Sequence, residues 1–262
     1  MIEPIRTLPA GPMRVQVYLD RHGLGRAAAG AVAARMQELL ARQPGLSAVF
    51  AAAASQVEFL THLAAEPDVD WKRVTAFHLD EYVGVSATDG RSFGKFLRER
   101  LFDRVGPAAF HALDGAARDP EAECRRYEAL LRDHPLDVAC IGIGENGHLA
   151  FNDPHVADFN EPRRVKVVEP DERSRRQQVA DGAFSKAEDM PVKAYTLTIP
   201  AILAARFVYV MVPGERKAEA VRRTVEDPVS PACPSTVLRT RPEVYLYLDA
   251  ESSRGIDRQI VR

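Results

Sequence analysis

Two short stretches of the sequence carry acid, imidazole and amide groups at a density unusual for connecting chain. In "FHLDEYVG", residues 77–84, His78, Asp80, Glu81 and Tyr82 fall within five positions; in "GIGENGHLAFNDP", residues 142–154, Glu145, Asn146, His148, Asn152 and Asp153 fall within nine. A carboxylate and an imidazole around one pocket suit proton transfer on a bound small molecule, because imidazole exchanges a proton near neutral pH and a carboxylate's proton affinity follows its surroundings. The plain alternative for the second stretch is a polar turn with a satisfied histidine. A metal site is a third reading, since His78 and Asp80 on one strand face could join His148 and Asp153 as four ligands. No second short-range ligand pair accompanies H-x-D, so no metal is expected.

Gly142, Gly144 and Gly147 also have the G-x-G-x-x-G spacing of a dinucleotide-binding turn. That turn needs its last glycine to open a long helix on which a pyrophosphate sits. Here Asp153-Pro154 follows within a few residues and ends any such helix, so the segment reads as a glycine-supported loop after a strand.

Both segments follow runs that read as buried strands, 74–79 and 136–144. Ahead of them, a Pro-punctuated lead-in over 1–12 precedes a strand at 13–19, a helix with apolar residues every four positions from Leu24 to Leu40, a strand at 47–53 and a helix at 58–65. Helices are expected at 93–102 and from Pro120, with Asp119 as N-cap, and strands at 195–199, 207–212 and 244–248, with a helix over 214–225 between the last two. Repeated β-α-β order predicts an α/β fold: a three-layer, Rossmann-like, mostly parallel sheet with helices on both faces, in one domain over 1–262. Ligand sites in such sheets lie beyond the carboxyl ends of the strands, where both polar segments fall.

With 46% hydrophobic and 27% charged residues and a net charge of -2, the chain has the balance of a globule with a sizeable core, and neither nucleic acid nor a membrane is expected as a partner. The first residues hold charges and no apolar run, which predicts a cytoplasmic location. Cys124, Cys140 and Cys233 have no metal-binding spacing and read as small buried hydrophobes.

Together the two polar segments resemble the signatures of the glucosamine-6-phosphate deaminase (isomerase) family, M-D-E-Y-V-G-L and G-x-G-x-D-G-H-x-A-F-N-E-P. Lesser matches, "AECRRYEALL", "YTLTIPAIL", "GERKAEAV" and "PEVYLYLD", extend the resemblance over residues 13–249. It implies cofactor-free aldose-ketose isomerisation of glucosamine 6-phosphate with loss of ammonia, giving fructose 6-phosphate. Asp80 would move a proton between C2 and C1 through an enediol-type intermediate, and His148 would open the sugar ring. Asp153 stands where the family has a Glu that works with this histidine, and Lys217 matches the lysine that meets the phosphate. Ser55, Glu81 and Gly144 fall in the matching substrate-binding segments, and a homo-oligomer is compatible with the family.

The sequence departs from the pattern in three places. Asn146 replaces an Asp whose charge would orient His148; Glu145 is the neighbouring substitute, and Asn146→Asp is expected to raise turnover or shift its acid limb. A P-T-G-G-T-P type phosphate loop is replaced by "AAAASQ", residues 51–56, leaving the Ser55 hydroxyl and a helix start as donors. The family's phosphate arginine aligns with Gln178, with Arg173, Arg175 and Arg176 upstream as alternative ligands or as a solvated helix face. Arg164 and Lys166 resemble positions that bind an allosteric sugar phosphate, but the serines beside them are absent and allostery is not carried over. A 6-phosphogluconolactonase-like hydrolase and a non-catalytic sugar-phosphate sensor are the alternatives on the same fold; "AFNDP", "DEYVG" and the retention of Asp80 and His148 favour the deaminase.

Overall fold

The computed structural model describes residues 2–182 and 184–256. The chain opens with β1 (Arg6–Ala10), β2 (Met13–Tyr18), α1 (Arg21–Leu40), β3 (Leu46–Phe50), α2 (Val57–Leu63), β4 (Val74–His78) and β5 (Asp80–Tyr82). Next, α3 (Phe93–Leu97) continues through a π-helical turn into α4 (Asp103–Val105), followed by β6 (Ala109–His111), α5 (Pro120–Asp133), β7 (Val138–Ile141) and β8 (Val165–Val168). The last third holds α6 (Glu172–Ala180), β9 (Ala194–Leu197), α7 (Ile199–Leu203), β10 (Phe207–Val212), α8 (Ala218–Glu226) and β11 (Val244–Asp249).

Eight strands form one sheet in the order β1-β2-β11-β10-β7-β3-β4-β6, parallel except where β1 meets β2. The alternating strand pleat divides the core into two layers. Val138 and Cys140 of β7 face α1, α2 and α3, whereas Ala139 and Ile141 face α5 and α8. All three cysteines are free and buried, as their spacing suggested. Asp119 caps α5 through the N–H groups of Glu121 and Ala122, with Pro120 in the first turn where its missing N–H costs nothing. Among the described residues no helix is long and apolar enough to cross a membrane.

Several expectations need correction. The lead-in is not structureless: residues 6–10 form β1, reached through Gly11 at φ 59°. Pro9 concealed it, because a proline speaks against a central strand but is tolerated at a sheet edge. Residues 195–199 do not join the large sheet. They supply β9 of a second, antiparallel sheet β5-β9-β8, and α7 then starts at Ile199 behind a Thr198 cap. The short strands β6 and β8 were also unforeseen. His78 and Asp80 do not share a strand face, since the chain leaves the large sheet after His78 and re-pairs from Asp80, opposite Thr196.

Candidate active site

A cleft opens where the carboxyl ends of β3, β4 and β7 meet. Ala51–53 and Ser55 form one wall after β3, Asp80 lies at the crossing into β5, and Gly142, Gly144 and His148 come from the loop after β7. Gln177 and Gln178 of α6, Lys217 just ahead of α8, and the rings of Phe93 and Phe151 complete it.

The Asp80 carboxylate accepts no hydrogen bond among the described residues. Burial, and then the charge of Glu81 beside it, raises its pKa well above the ordinary carboxylate range. Glu81 itself turns away from the cleft. Its carboxylate accepts from the Ser92 hydroxyl at 2.7 Å and from the backbone N–H groups of Tyr82, Phe93 and Gly94, fastening β5 to the first turn of α3.

His148 rests against the backbone of Gly144, where a Cβ would come within 2.2 Å of its Nε2. Its Nδ1 lies 2.7 Å from the Ser174 hydroxyl and 3.0 Å from Asp153 Oδ1. Asp153 is fully buried. Burial acts to raise its pKa, but the hydrogen bond and charge of His148, with hydrogen bonds from Asn146 and Ser174, outweigh that and hold it at about 2. The negative charge behind the imidazole is therefore Asp153, and the departure at Asn146 acquires a physical reason. Asn146 Nδ2 donates to Asp153 at 2.8 Å and to Asp171 at 2.8 Å, while its Oδ1 accepts from the His148 N–H at 3.0 Å. An aspartate there would put a third carboxylate against two others. Glu145 does not substitute for it: its carboxylate lies 3.3 Å from Arg216, and its N–H donates to Gln177.

At the far end of the cleft, Lys217 is buried, and its ammonium group forms no ion pair or hydrogen bond among the described residues. Burial lowers its pKa to about 8 against the opposing charges of Asp181 and Glu145, with Arg216 and Arg173 also lowering it. Ser55 sits in a tight turn pinned by Gln56, whose carboxamide donates to Ser55 Oγ at 3.1 Å and to the Met211 carbonyl at 3.1 Å. Gln178 faces this end, but Arg176 does not; it pairs with Glu172 on the outer side of α6. Arg175 donates to the carbonyls of Ala187 and Pro191, and Lys166 pairs with Glu161.

The four residues weighed as metal ligands are not brought together. His78 is buried elsewhere, its Nε2 accepting from the Leu113 N–H at 2.8 Å. Among the described residues, Asp153, His155 and Asp171 offer ligand atoms within 4.8 Å of one another. The oxygens of both carboxylates already accept hydrogen bonds from Asn146, Ser174 and the Asp171 N–H. Ser174, Gln177 and Asp171 were missed as parts of the site. Asp171 had a local signal, as an N-cap ahead of α6, which the structure shows accepting from Ser174 N–H at 2.7 Å.

The fold and cleft define an α/β protein with a carboxylate and an imidazole at the carboxyl edge of a parallel sheet and a buried lysine at the far end of the same cleft. A family model described as glucosamine-6-phosphate isomerases/6-phosphogluconolactonase matches residues 19–246, and the chain belongs to that family. It is 36% identical over 202 residues to a glucosamine-6-phosphate deaminase of Listeria monocytogenes, covering 77% of this chain and 84% of that one. It is 39% identical over 184 residues to another from Bacillus thuringiensis, covering 70% of this chain and 68% of the relative. A solved monomeric glucosamine-6-phosphate deaminase superposes with a TM-score of 0.84 at 28% identity, over 92% of this chain and 99% of that one. A 6-phosphogluconolactonase from Shewanella baltica shares the fold, with a TM-score of 0.74 at 20% identity over 93% of this chain and 99% of that one.

Proposed function

We propose that this protein is an aminosugar-phosphate deaminase/isomerase that converts glucosamine 6-phosphate and water into fructose 6-phosphate and ammonia. Its side chains carry the chemistry. With the phosphate at Lys217, Ser55 and Gln178, the sugar lies along the cleft toward Asp80 and His148. His148 Nε2 takes the proton from the C1 hydroxyl and passes it to the ring oxygen as the ring opens. Asp80 then removes the proton from C2, giving an enediol-type intermediate with nitrogen on C2, and returns a proton to C1. The resulting C2 imine adds water, and ammonia leaves to give the ketone.

The observation that carries this reading is one cleft holding a carboxylate of raised proton affinity that accepts no hydrogen bond among the described residues, an imidazole backed by an ionised carboxylate, and a buried lysine whose ammonium has no partner among them. Family relatives named as deaminases at 36% and 39% identity support it over the lactonase reading. Asp80→Asn tests it: the variant should fold normally and lose about 10²- to 10⁴-fold in ammonia release. Near-normal turnover would remove Asp80 from the mechanism.

A further inference from the structure

We infer that Ser174 is a positioning residue that fixes the tautomer of His148, an inference that rests on the proposed use of His148 as the ring-opening group. Ser174 is buried in the first turn of α6, and its hydroxyl lies 2.7 Å from His148 Nδ1 and in close contact with Asp153 Oδ1. A serine hydroxyl has one proton to give. Asp153, held ionised, can only accept, so the Ser174 proton points at Asp153. The lone pairs of Ser174 Oγ then face Nδ1, which must bring the proton to that contact. The opposite arrangement would set two acceptors against each other at close range. The chain of donors therefore runs from His148 Nδ1–H to Ser174 to Asp153, and it leaves Nε2 of the neutral imidazole bare. That nitrogen is on the edge of the ring lying against Gly144, in the wall of the cleft.

The direct 3.0 Å approach of Nδ1 to Asp153 does not make Ser174 redundant. Asp153 Oδ1 also accepts from Asn146 and Ser174, and a single hydroxyl between imidazole and carboxylate fixes both the ring plane and its protonated edge. Ser174 is itself placed by Asp171, which accepts from the Ser174 N–H through one oxygen and from Asn146 through the other. Helix α6 and the His148 loop are thus set by the same groups.

Nitrogen-15 NMR of the imidazoles in the native chain, with His148→Gln identifying the signal, tests the inference without a substrate. The expected spectrum of neutral His148 shows the proton on Nδ1; a proton on Nε2 in the native protein would overturn the proposal. Ser174→Ala should populate the Nε2–H form and lower kcat for glucosamine 6-phosphate roughly tenfold or more, with KM changed less than about twofold. Ser174→Thr, which keeps the hydroxyl, should restore both readouts. A Ser174→Ala protein with native tautomer or native kcat would equally overturn it, whereas a loss of thermal stability moves neither. Should the native protein release no ammonia, the functional reading fails while the tautomer spectra still decide the role of Ser174.

Discussion

At the scale of single residues, the site is governed by which charges are paired and which are left facing the cleft. Asn146 is the clearest case. From the sequence alone its lack of charge suggests a weakened His148, and Asn146→Asp is expected to raise turnover or shift its acid limb. The geometry reverses that expectation, because the substitution removes the donor between Asp153 and Asp171 and adds a like charge to both. Asn146→Asp should lower thermal stability, by about 1–3 kcal/mol, and lower turnover at neutral pH; denaturant unfolding and ammonia assays read both. Lys217 gives a prediction of pH dependence. Its pKa lies at about 8, so its charge is present below that value and lost as pH rises through it. Affinity for the phosphate should therefore fall above about pH 8, and kcat/KM should show a basic limb there that Lys217→Arg moves to higher pH. Asp80, His148, Asp153 and Lys217 were legible because each belongs to a local motif. Ser174 was not, since its value lies in contact with residues 26 and 21 positions away, and no spacing within α6 announces it.

At the scale of elements, strands buried on both faces were readable from their apolar runs, and α1 and α5 from their spacing and caps. The pattern could not say which strands pair. A run such as residues 194–197 looks the same in either sheet, and its place is settled by Asp80 and Lys166 meeting Thr196 across two antiparallel ladders. That second sheet redirects the chain after Leu79 and delivers Asp80 to the cleft while His78 stays behind. Helix α6 is the other decisive element, since it brings Ser174, Gln177 and Gln178 to the loop after β7. Its attachment depends on Asp171 as both N-cap and acceptor for Asn146. Asp171→Ala should cost about 1 kcal/mol of stability through the cap and loosen residues 172–180, visible as faster amide hydrogen exchange there than in α5.

At the scale of the whole molecule, one parallel sheet gathers groups from distant parts of the chain at its carboxyl edge, so that Ser55, Asp80, His148, Gln178 and Lys217 line a single cleft. The family takes in both isomerases and lactonases, and the departure at Asn146 is met by contacts to Asp153 and Asp171 inside the same architecture. The decisive measurement is ammonia release by the purified protein from glucosamine 6-phosphate, with galactosamine 6-phosphate in parallel and EDTA present throughout. Chelator-resistant release of ammonia from glucosamine 6-phosphate, with an equal amount of fructose 6-phosphate, is the expected result. Tight binding of both sugar phosphates by calorimetry without release of ammonia from either would contradict it and leave the cleft a sensor.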